Sequence, residues 1–546
     1  MTIFTTILQL LIQKIIEMGL NQQPKHSFKY WQTHTIIIAM IGYALYYFVR
    51  KNFSVAMPMM EAELGVSKTA LGAFLTLNGV IYGVSRFCNG FLADRMSARK
   101  FMATGLFFCS VVNIGFAFSD KLAEKITGGI IEKPQPKVEV VAEAPQQEIA
   151  PEDVVVVTEG EVAKESAAET AEVAVAPQQE IAEAVAPAED SEAKQKAERA
   201  FAVLIVIMGV LWLINGWFQG MGVPPVTPLM SRWIPANELA TKMSIWNMSH
   251  SIGAGAIMFV GAGLVAVFGD SAWRLCFLLP AIIALVGSIF VLFTLKDRPS
   301  DVGYPEIHAD LSSEKEKNDA HRTSPAFYRA FLKRMVFRNP IIWILSVTNF
   351  LIYVVRFSML DWGITILQQY KGVDSAYAPI MVALFEFVGG NLGMLVSGWL
   401  TDKVFDSRAH RTCVFCSIGA FAAVAMFWLM PNDSPMWLIC TVFSLIGFFI
   451  YGPQALLGIE TANQATNEAA ASANGILGVF GYASTIISGV VFGYIADLND
   501  WNIVFITILA FAALSALVIA TIWRAKGDGY AEAERISKEI HAEIGE

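Results

Sequence analysis

The stretch YALYYFVRKNFSVAMP, Tyr43 to Pro58, is a long apolar run with an arginine and a lysine set inside it. It has a partner 306 residues later, NFLIYVVRFSML, Asn349 to Leu360. In each, a tyrosine precedes the arginine by three residues: Tyr47 before Arg50, and Tyr353 before Arg356. A cation at the centre of a membrane helix costs about 2.5–3.5 kcal/mol on insertion scales, so it faces a cavity or a functional partner. Two such arginines at matching places point to a central site for a strongly anionic ligand.

The rest of the chain supports a membrane reading. Of 546 residues, 55% are hydrophobic and 16% charged, with 37 Phe and 13 Trp. Twelve apolar runs are each long enough to cross a hydrocarbon core as a helix: 35–58, 70–93, 101–118, 200–221, 243–268, 272–295, 341–362, 378–401, 412–430, 436–457, 471–496 and 501–524. The expected fold class is an all-α polytopic membrane protein.

Lys and Arg placement sets the orientation. Basic residues follow span 2 (Arg95, Arg99, Lys100), span 4 (Arg232, Lys242), span 6 (Lys296, Arg298) and span 8 (Lys403, Arg408, Arg411). The intervening loops carry Glu61, Glu63, Asp433, Asp497 and Asp500. Both termini are therefore expected in the cytoplasm.

Six segments follow. Residues 1–34 form a cytoplasmic N-terminal segment, 35–118 with 200–295 a first six-helix half, and 119–199 an outer loop. Residues 296–340 form a cytoplasmic linker with one short helix near 324–336. Residues 341–524 make the second six-helix half, and 525–546 a cytoplasmic tail. Apolar residues at 4, 7, 8, 11, 12 and 15 give the first segment an amphipathic face suited to a membrane surface, unless translation starts at Met18. Between 120 and 199 there are 19 acidic and 8 basic residues, no aromatics, and a repeat of APQQEIA at Ala144–Ala150 and Ala176–Ala182. Such composition cannot bury enough apolar surface to offset ordering, so disorder is expected there, with helical turns near 160–175 and 188–199.

The halves echo one another further. GFLADR (Gly90–Arg95) ends span 2 and GWLTDK (Gly398–Lys403) ends span 8, which makes Asp94 and Asp402 candidates for a gate. Parallel duplication of a six-helix unit gives the major facilitator architecture, with a site near the midplane between the halves.

Several motifs in order then resemble one family. YYFVRKNFSVAMP, GWFQGMGVPP (Gly216–Pro225), WNMSHSIGAG (Trp246–Gly255), YVVRFSMLDWG (Tyr353–Gly363), GFFIYGPQALLG (Gly447–Gly458) and NGILGVFGY (Asn474–Tyr482) are similar to the organophosphate:phosphate antiporters. These include bacterial glycerol-3-phosphate and hexose-phosphate transporters and a hexose-phosphate sensor. The resemblance covers all twelve spans and omits the 119–199 loop and the extreme N-terminus. It implies phosphate binding by Arg50 and Arg356, whose planar guanidinium forks match phosphate oxygens. It implies a substrate-site histidine at His250, and pore-lining tyrosines at Tyr43, Tyr47, Tyr353, Tyr451 and Tyr482. Ala254 breaks the family's run of glycines after the histidine.

Lys51 either adds positive potential or reaches outward. Arg86 stands where the family has lysine, to pair with phosphate or hold a carboxylate. Asp361 and Glu386 are buried acids needing partners, and Arg356 or Arg86 are the nearest candidates as gating charge pairs. Where hexose-phosphate transporters carry an aspartate and, three residues on, a lysine, this chain has Asn474 and Leu477. Spans 1 and 4 resemble the glycerol-3-phosphate transporters, and spans 7 and 8 the sensor. The substrate thus stays open between small and six-carbon phosphates.

The expected partners are an organic phosphate, inorganic phosphate and the lipid bilayer of a bacterial inner membrane. No nucleic acid is expected, and the chain is read as a monomer. A histidine kinase enters as partner if the chain is a sensor. Cys413 and Cys416 form a lone C-x-x-C without a second pair or a nearby histidine, and no G-x-x-x-x-G-K-[ST] loop occurs. Neither metal, cofactor, nucleotide nor enzymatic activity is expected.

Overall fold

The computed structural model describes residues 26–93, 96–131, 188–305, 325–498 and 500–544. Eleven helices among them are long and apolar enough to cross a membrane: Phe28–Leu64, Ala98–Ala117, Glu192–Gln219, Ile245–Phe268, Trp273–Thr294, Pro340–Asp361, Ala378–Lys403, Ala409–Leu429, Met436–Thr466, Ser472–Asp497 and Trp501–Ala520. The expected second span is the 26-residue helix Lys68–Ala93, whose Asn78, Ser85, Arg86 and Asn89 dilute its apolar content. With it the helices number twelve, and they are called spans 1–12 in chain order.

Local chemistry sets the ends. Ser27 caps span 1, its hydroxyl accepting from the Tyr30 amide, and Gly65 closes it at φ 68°. Span 7 starts with Pro340 behind Asn339, whose side chain accepts from the Ile341 amide. The six-residue π-turns Phe385–Gly390 and Ile486–Val491 interrupt spans 8 and 11.

Within the first half, span 1 packs on spans 5 and 6, span 2 on span 4, and span 3 on spans 4 and 6. The second half repeats this scheme: the helix running through spans 10 and 11 packs on span 7, while span 12 meets spans 7 and 9, and span 10 meets spans 8 and 9. The halves meet where span 2 lies on span 11 and span 5 on span 8. A two-fold axis along the membrane normal exchanges 2 with 8 and 5 with 11, so these two contacts are one contact seen twice. Large apolar side chains such as Val206, Val286, Phe293, Leu395, Leu514 and Leu517 remain exposed, as lipid-facing residues do. Lipid removes the hydrophobic drive between helices, and association falls to close packing of small residues. A Cβ on Gly72 of span 2 would lie 2.3 Å from the Gly489 carbonyl oxygen of span 11.

Both described termini and the linker share one side. The Tyr304 hydroxyl donates to the His26 carbonyl, and the C-terminal helix Tyr530–Ile544 packs on the linker helix Pro325–Leu332 through Phe327, Phe331, Ile536 and Ile540. The expected linker helix is thus present, followed by a π-turn at Lys333–Phe337. The turns expected at 188–199 form the start of the helix Ala188–Gln219. A short helix, Ser119–Thr127, follows span 3. The segments 1–25 and 132–187, and with them the amphipathic face, the repeats and the turns expected at 160–175, lie outside the described residues, as does Asp94.

On the side away from the termini the halves are sealed. The amides of Lys68 and Thr69 donate to the Asp497 carboxylate at 2.8 and 2.7 Å. Gln369 donates to Glu61 at 2.9 Å, and Thr76 to the Thr485 carbonyl at 2.7 Å.

Candidate functional site

Span 1 is broken in its middle. Val49 has φ −98° and ψ 19°, outside helical values, immediately before Arg50 and Lys51. The two cations go different ways. The Arg50 guanidinium lies over the Tyr82 ring at 4.2 Å and 5.8 Å from the Tyr47 ring. Lys51 is buried against the Asp361 carboxylate, an ion pair that joins the two halves.

Beside this break, a cavity of about 250 Å³ opens between the halves. From the first half it is lined by Tyr43, Tyr47, Arg86, Trp246 and His250, and from the second by Tyr353, Arg356, Gln454 and Tyr482. Arg50 borders a small adjoining pocket on the sealed side, with Lys51, Asn78, Phe357 and Asp361. Toward the termini side the lining continues through Asn247 and Arg86, which are exposed. The cavity is therefore closed on one side by the bonds given above and faces the other.

Arg356, 5% exposed, lies over the Tyr451 ring at 4.9 Å and donates to its hydroxyl at 3.4 Å. The Glu386 carboxylate, fully buried in the π-turn of span 8, is 4.0 Å from it. Arg50 has aromatic neighbours, and among the described residues no carboxylate within 4.0 Å is paired with it. His250 is 4% exposed, its ring 5.7 Å from that of Tyr47. Its Nδ1 meets the Asn247 carbonyl and its Nε2 is 3.3 Å from the Ser251 hydroxyl. A carbonyl accepts only, so the neutral ring carries its proton on Nδ1 and presents Nε2 as an acceptor. Guanidiniums and several phenol hydroxyls thus converge between the halves, a donor set suited to a compact oxyanion, with the imidazole beside them.

Of the residues singled out from sequence, Tyr43, Tyr47, Arg86, His250, Tyr353, Arg356 and Tyr482 share this cavity. Tyr451 stands behind Arg356 rather than at the cavity wall. Lys51 neither reaches outward nor faces the cavity as a free charge. Asp361 pairs with Lys51 rather than with Arg356 or Arg86: it lies at the very end of span 7, more than a turn beyond Arg356, and there it meets span 1. Glu386 pairs with Arg356 as expected. Asp402 is exposed at the termini end of span 8, within Asn391–Lys403.

Sequence reasoning passed over Tyr82, whose ring lies under the Arg50 guanidinium and meets Tyr482 edge-on at 4.8 Å. It also passed over Gln454 and Trp246, and over a set of buried amides, Asn52, Asn113, Asn215 and Gln219. Amides inside predicted spans were the available signal, because each must find a partner there. Among the described residues no group of three or more His, Cys, Asp or Glu is placed to hold a metal.

These features define a class: a two-half helical membrane protein with a cationic, aromatic cavity between the halves. The chain belongs to the major facilitator superfamily, whose family model matches residues 39–127 and 200–469. It is 29% identical to the glycerol-3-phosphate transporter of Bacillus subtilis, over 91% of this chain and 93% of that one. It is 30% identical to the membrane sensor protein UhpC of Escherichia coli, over 90% and 92%. A probable hexose phosphate transport protein of Chlamydia pneumoniae is 28% identical over 92% and 93%. The resemblance read from the motifs is thus borne out. Among solved structures, a bacterial homologue of the human lysosomal transporter Spinster, inward-facing and occupied, superposes with a TM-score of 0.59 at 11% identity, covering 91% of this chain and 97% of that one. That likeness speaks for the fold.

Proposed function

We propose that the protein is a secondary carrier of the bacterial inner membrane that exchanges an organic phosphate ester, glycerol-3-phosphate or a hexose-6-phosphate, for inorganic phosphate by alternating access. The observation that carries this reading is the placement of Arg356 at the cavity between the halves and of Arg50, from the other half, at the small pocket beside it. The names of the curated relatives, glycerol-3-phosphate and hexose-phosphate transporters, support the ester class. With the basic loops on the termini side, that side is the cytoplasm, and the cavity faces inward.

The physics of exchange follows from charge. Organic and inorganic phosphate present the same oxyanion and compete for the same two guanidiniums. An empty carrier that recloses must seal Arg50 away from water without a counter-ion, which is expensive. A bound phosphate supplies the counter-ion, bridges the halves and lets both ends close. Lys51–Asp361 breaks when the far side opens, and Glu386 holds Arg356 between turnovers. The monomer suffices, because each half brings its own arginine.

The test is efflux of radiolabelled phosphate from phosphate-loaded proteoliposomes challenged with glycerol-3-phosphate or glucose-6-phosphate. Efflux stimulated by one ester establishes exchange and names its class. A second reading is favoured by the 30% identity to a membrane sensor: a receptor of external sugar phosphate signalling to a histidine kinase. Specific phosphate binding that needs Arg50 and Arg356, without stimulated efflux, would select it.

A further inference from the structure

Arg356 is buried beside a phenol and a carboxylate, whereas Arg50, only half-buried, lacks an acidic partner among the described residues. Something else must hold it. The break at Val49 supplies the answer, because a helix break exposes carbonyls that need other donors. Three side-chain amides converge on the Val49 carbonyl oxygen: Asn113 Nδ2 at 3.1 Å and Asn215 Nδ2 at 3.1 Å, with Gln219 Nε2 at 3.3 Å. Gln219 also donates to the Tyr46 carbonyl at 3.0 Å. Asn113 and Asn215 bond to each other at 3.2 Å, and Asn113 accepts from Asn52 at 2.9 Å. Asn52, Asn113 and Asn215 are fully buried and Gln219 is 2% exposed.

The cluster draws on spans 1, 3 and 4, and among the described residues has no counterpart at the second arginine. Span 7 runs unbroken through Val355 and Arg356, and its Asn349 reaches instead to the Leu477 carbonyl of span 11 at 2.9 Å. We propose that Asn113, Asn215 and Gln219 are positioning residues of the anion site: they clamp the broken backbone at Val49 and so aim Arg50 at the ligand without neutralising it. A carboxylate could orient a guanidinium equally well, but it would compete with phosphate for the same N–H groups. Amides acting on the backbone orient the residue and leave its charge free. The inference rests on the carrier reading for its ligand and on geometry alone for the clamp.

The test uses the full chain with Gln219→Met and Asn215→Leu, singly and together, near-isosteric changes that remove donors without burying charge. Gel filtration and melting in detergent establish that each variant is folded. Two readouts follow. Hydrogen exchange over Tyr46–Phe53 needs no ligand and is expected to quicken in the double variant. The KM for phosphate in phosphate–phosphate exchange is expected to rise about tenfold with maximal rate within about twofold, the scale of one or two lost hydrogen bonds. In an Arg50→Lys background, where the fork is already gone, the same changes should raise KM by less than about twofold. Unchanged protection over Tyr46–Phe53 would overturn the clamp. Faster exchange there with an unaltered KM, or an equal KM effect in the Arg50→Lys background, would overturn the positioning role. A wild-type protein that binds no phosphate would overturn the carrier reading instead, and the exchange measurement would still decide the clamp.

Discussion

At the scale of residues, the site distinguishes charge from geometry. Arg356→Lys keeps the charge and loses the fork, so it should weaken phosphate exchange about 10- to 100-fold, the scale of one or two charge-assisted bonds. Arg356→Ala should abolish it, with the protein still folded in detergent. Transport by Arg356→Ala at the native rate would end the phosphate reading. Lys51 and Asp361 supply a second prediction. Removing one member of a buried pair strands the other charge, at about 3–5 kcal/mol, whereas removing both leaves two apolar cavities. Lys51→Ala and Asp361→Ala should each lower the melting temperature of the purified protein well below that of the double variant. The arginines were legible because an apolar run makes a charged residue conspicuous, whereas His250 and the cavity tyrosines were legible only through the resemblance of their motifs to the family. The partner of Asp361 was not, since pairing across halves depends on how far each helix extends beyond the midplane. Tyr82 was hidden for the opposite reason, a tyrosine in a span being ordinary.

At the scale of elements, the contact of span 2 with span 11 holds the far side shut. Gly72 admits no side chain there, a Cβ falling 2.3 Å from the Gly489 carbonyl oxygen. Gly72→Val should therefore wedge these spans apart and favour the state open on that side. Spin labels at Ser67→Cys and Leu498→Cys should report a longer distance than in the parent, and an unchanged distance would count against this contact as the seal. The short helix Ser119–Thr127 is anchored differently, by Arg274 on both Asp120 oxygens. Burial pushes the Asp120 carboxyl up, but the bonds from Arg274 and the backbone outweigh it and hold the group below the usual carboxylate range. A depressed folded pKa gives stability that is present above the unfolded value, about 3.9, and is lost as pH falls through the folded one. Asp120→Asn should then lower stability by about 1 kcal/mol at pH 7, the difference shrinking in melts as pH falls through the depressed folded value. Twelve spans and their duplication could be read from hydropathy and two repeated motifs. The break at Val49 and the π-turns could not, because no proline or glycine stands at Val49 and the amides that bond its carbonyl lie on spans 3 and 4.

At the scale of the molecule, the two-fold arrangement turns one charge imbalance into a rule about flux. Span pairs 2–11 and 5–8 are the equivalent surfaces on which the halves meet, and on the proposed cycle the halves rock about them. Reorientation requires both ends to be closed at once, with Arg50 inside. Sealing an uncompensated cation costs several kcal/mol even after relaxation, and each 1.36 kcal/mol in a barrier is tenfold in rate. Arg356, with Glu386 at 4.0 Å, carries far less of that cost. The empty carrier should hence reorient more than about a hundredfold slower than the phosphate-loaded one. Proteoliposomes loaded with labelled phosphate should leak slowly into phosphate-free buffer and release label rapidly once external phosphate is added. A variant that supplies the missing counter-ion, Asn78→Asp beside Arg50 in the adjoining pocket, should narrow that gap by raising the empty rate while weakening phosphate binding. Equal leak and exchange in the native protein would show that closure does not depend on the ligand's charge, and the account of exchange given for Arg50 would fall with it.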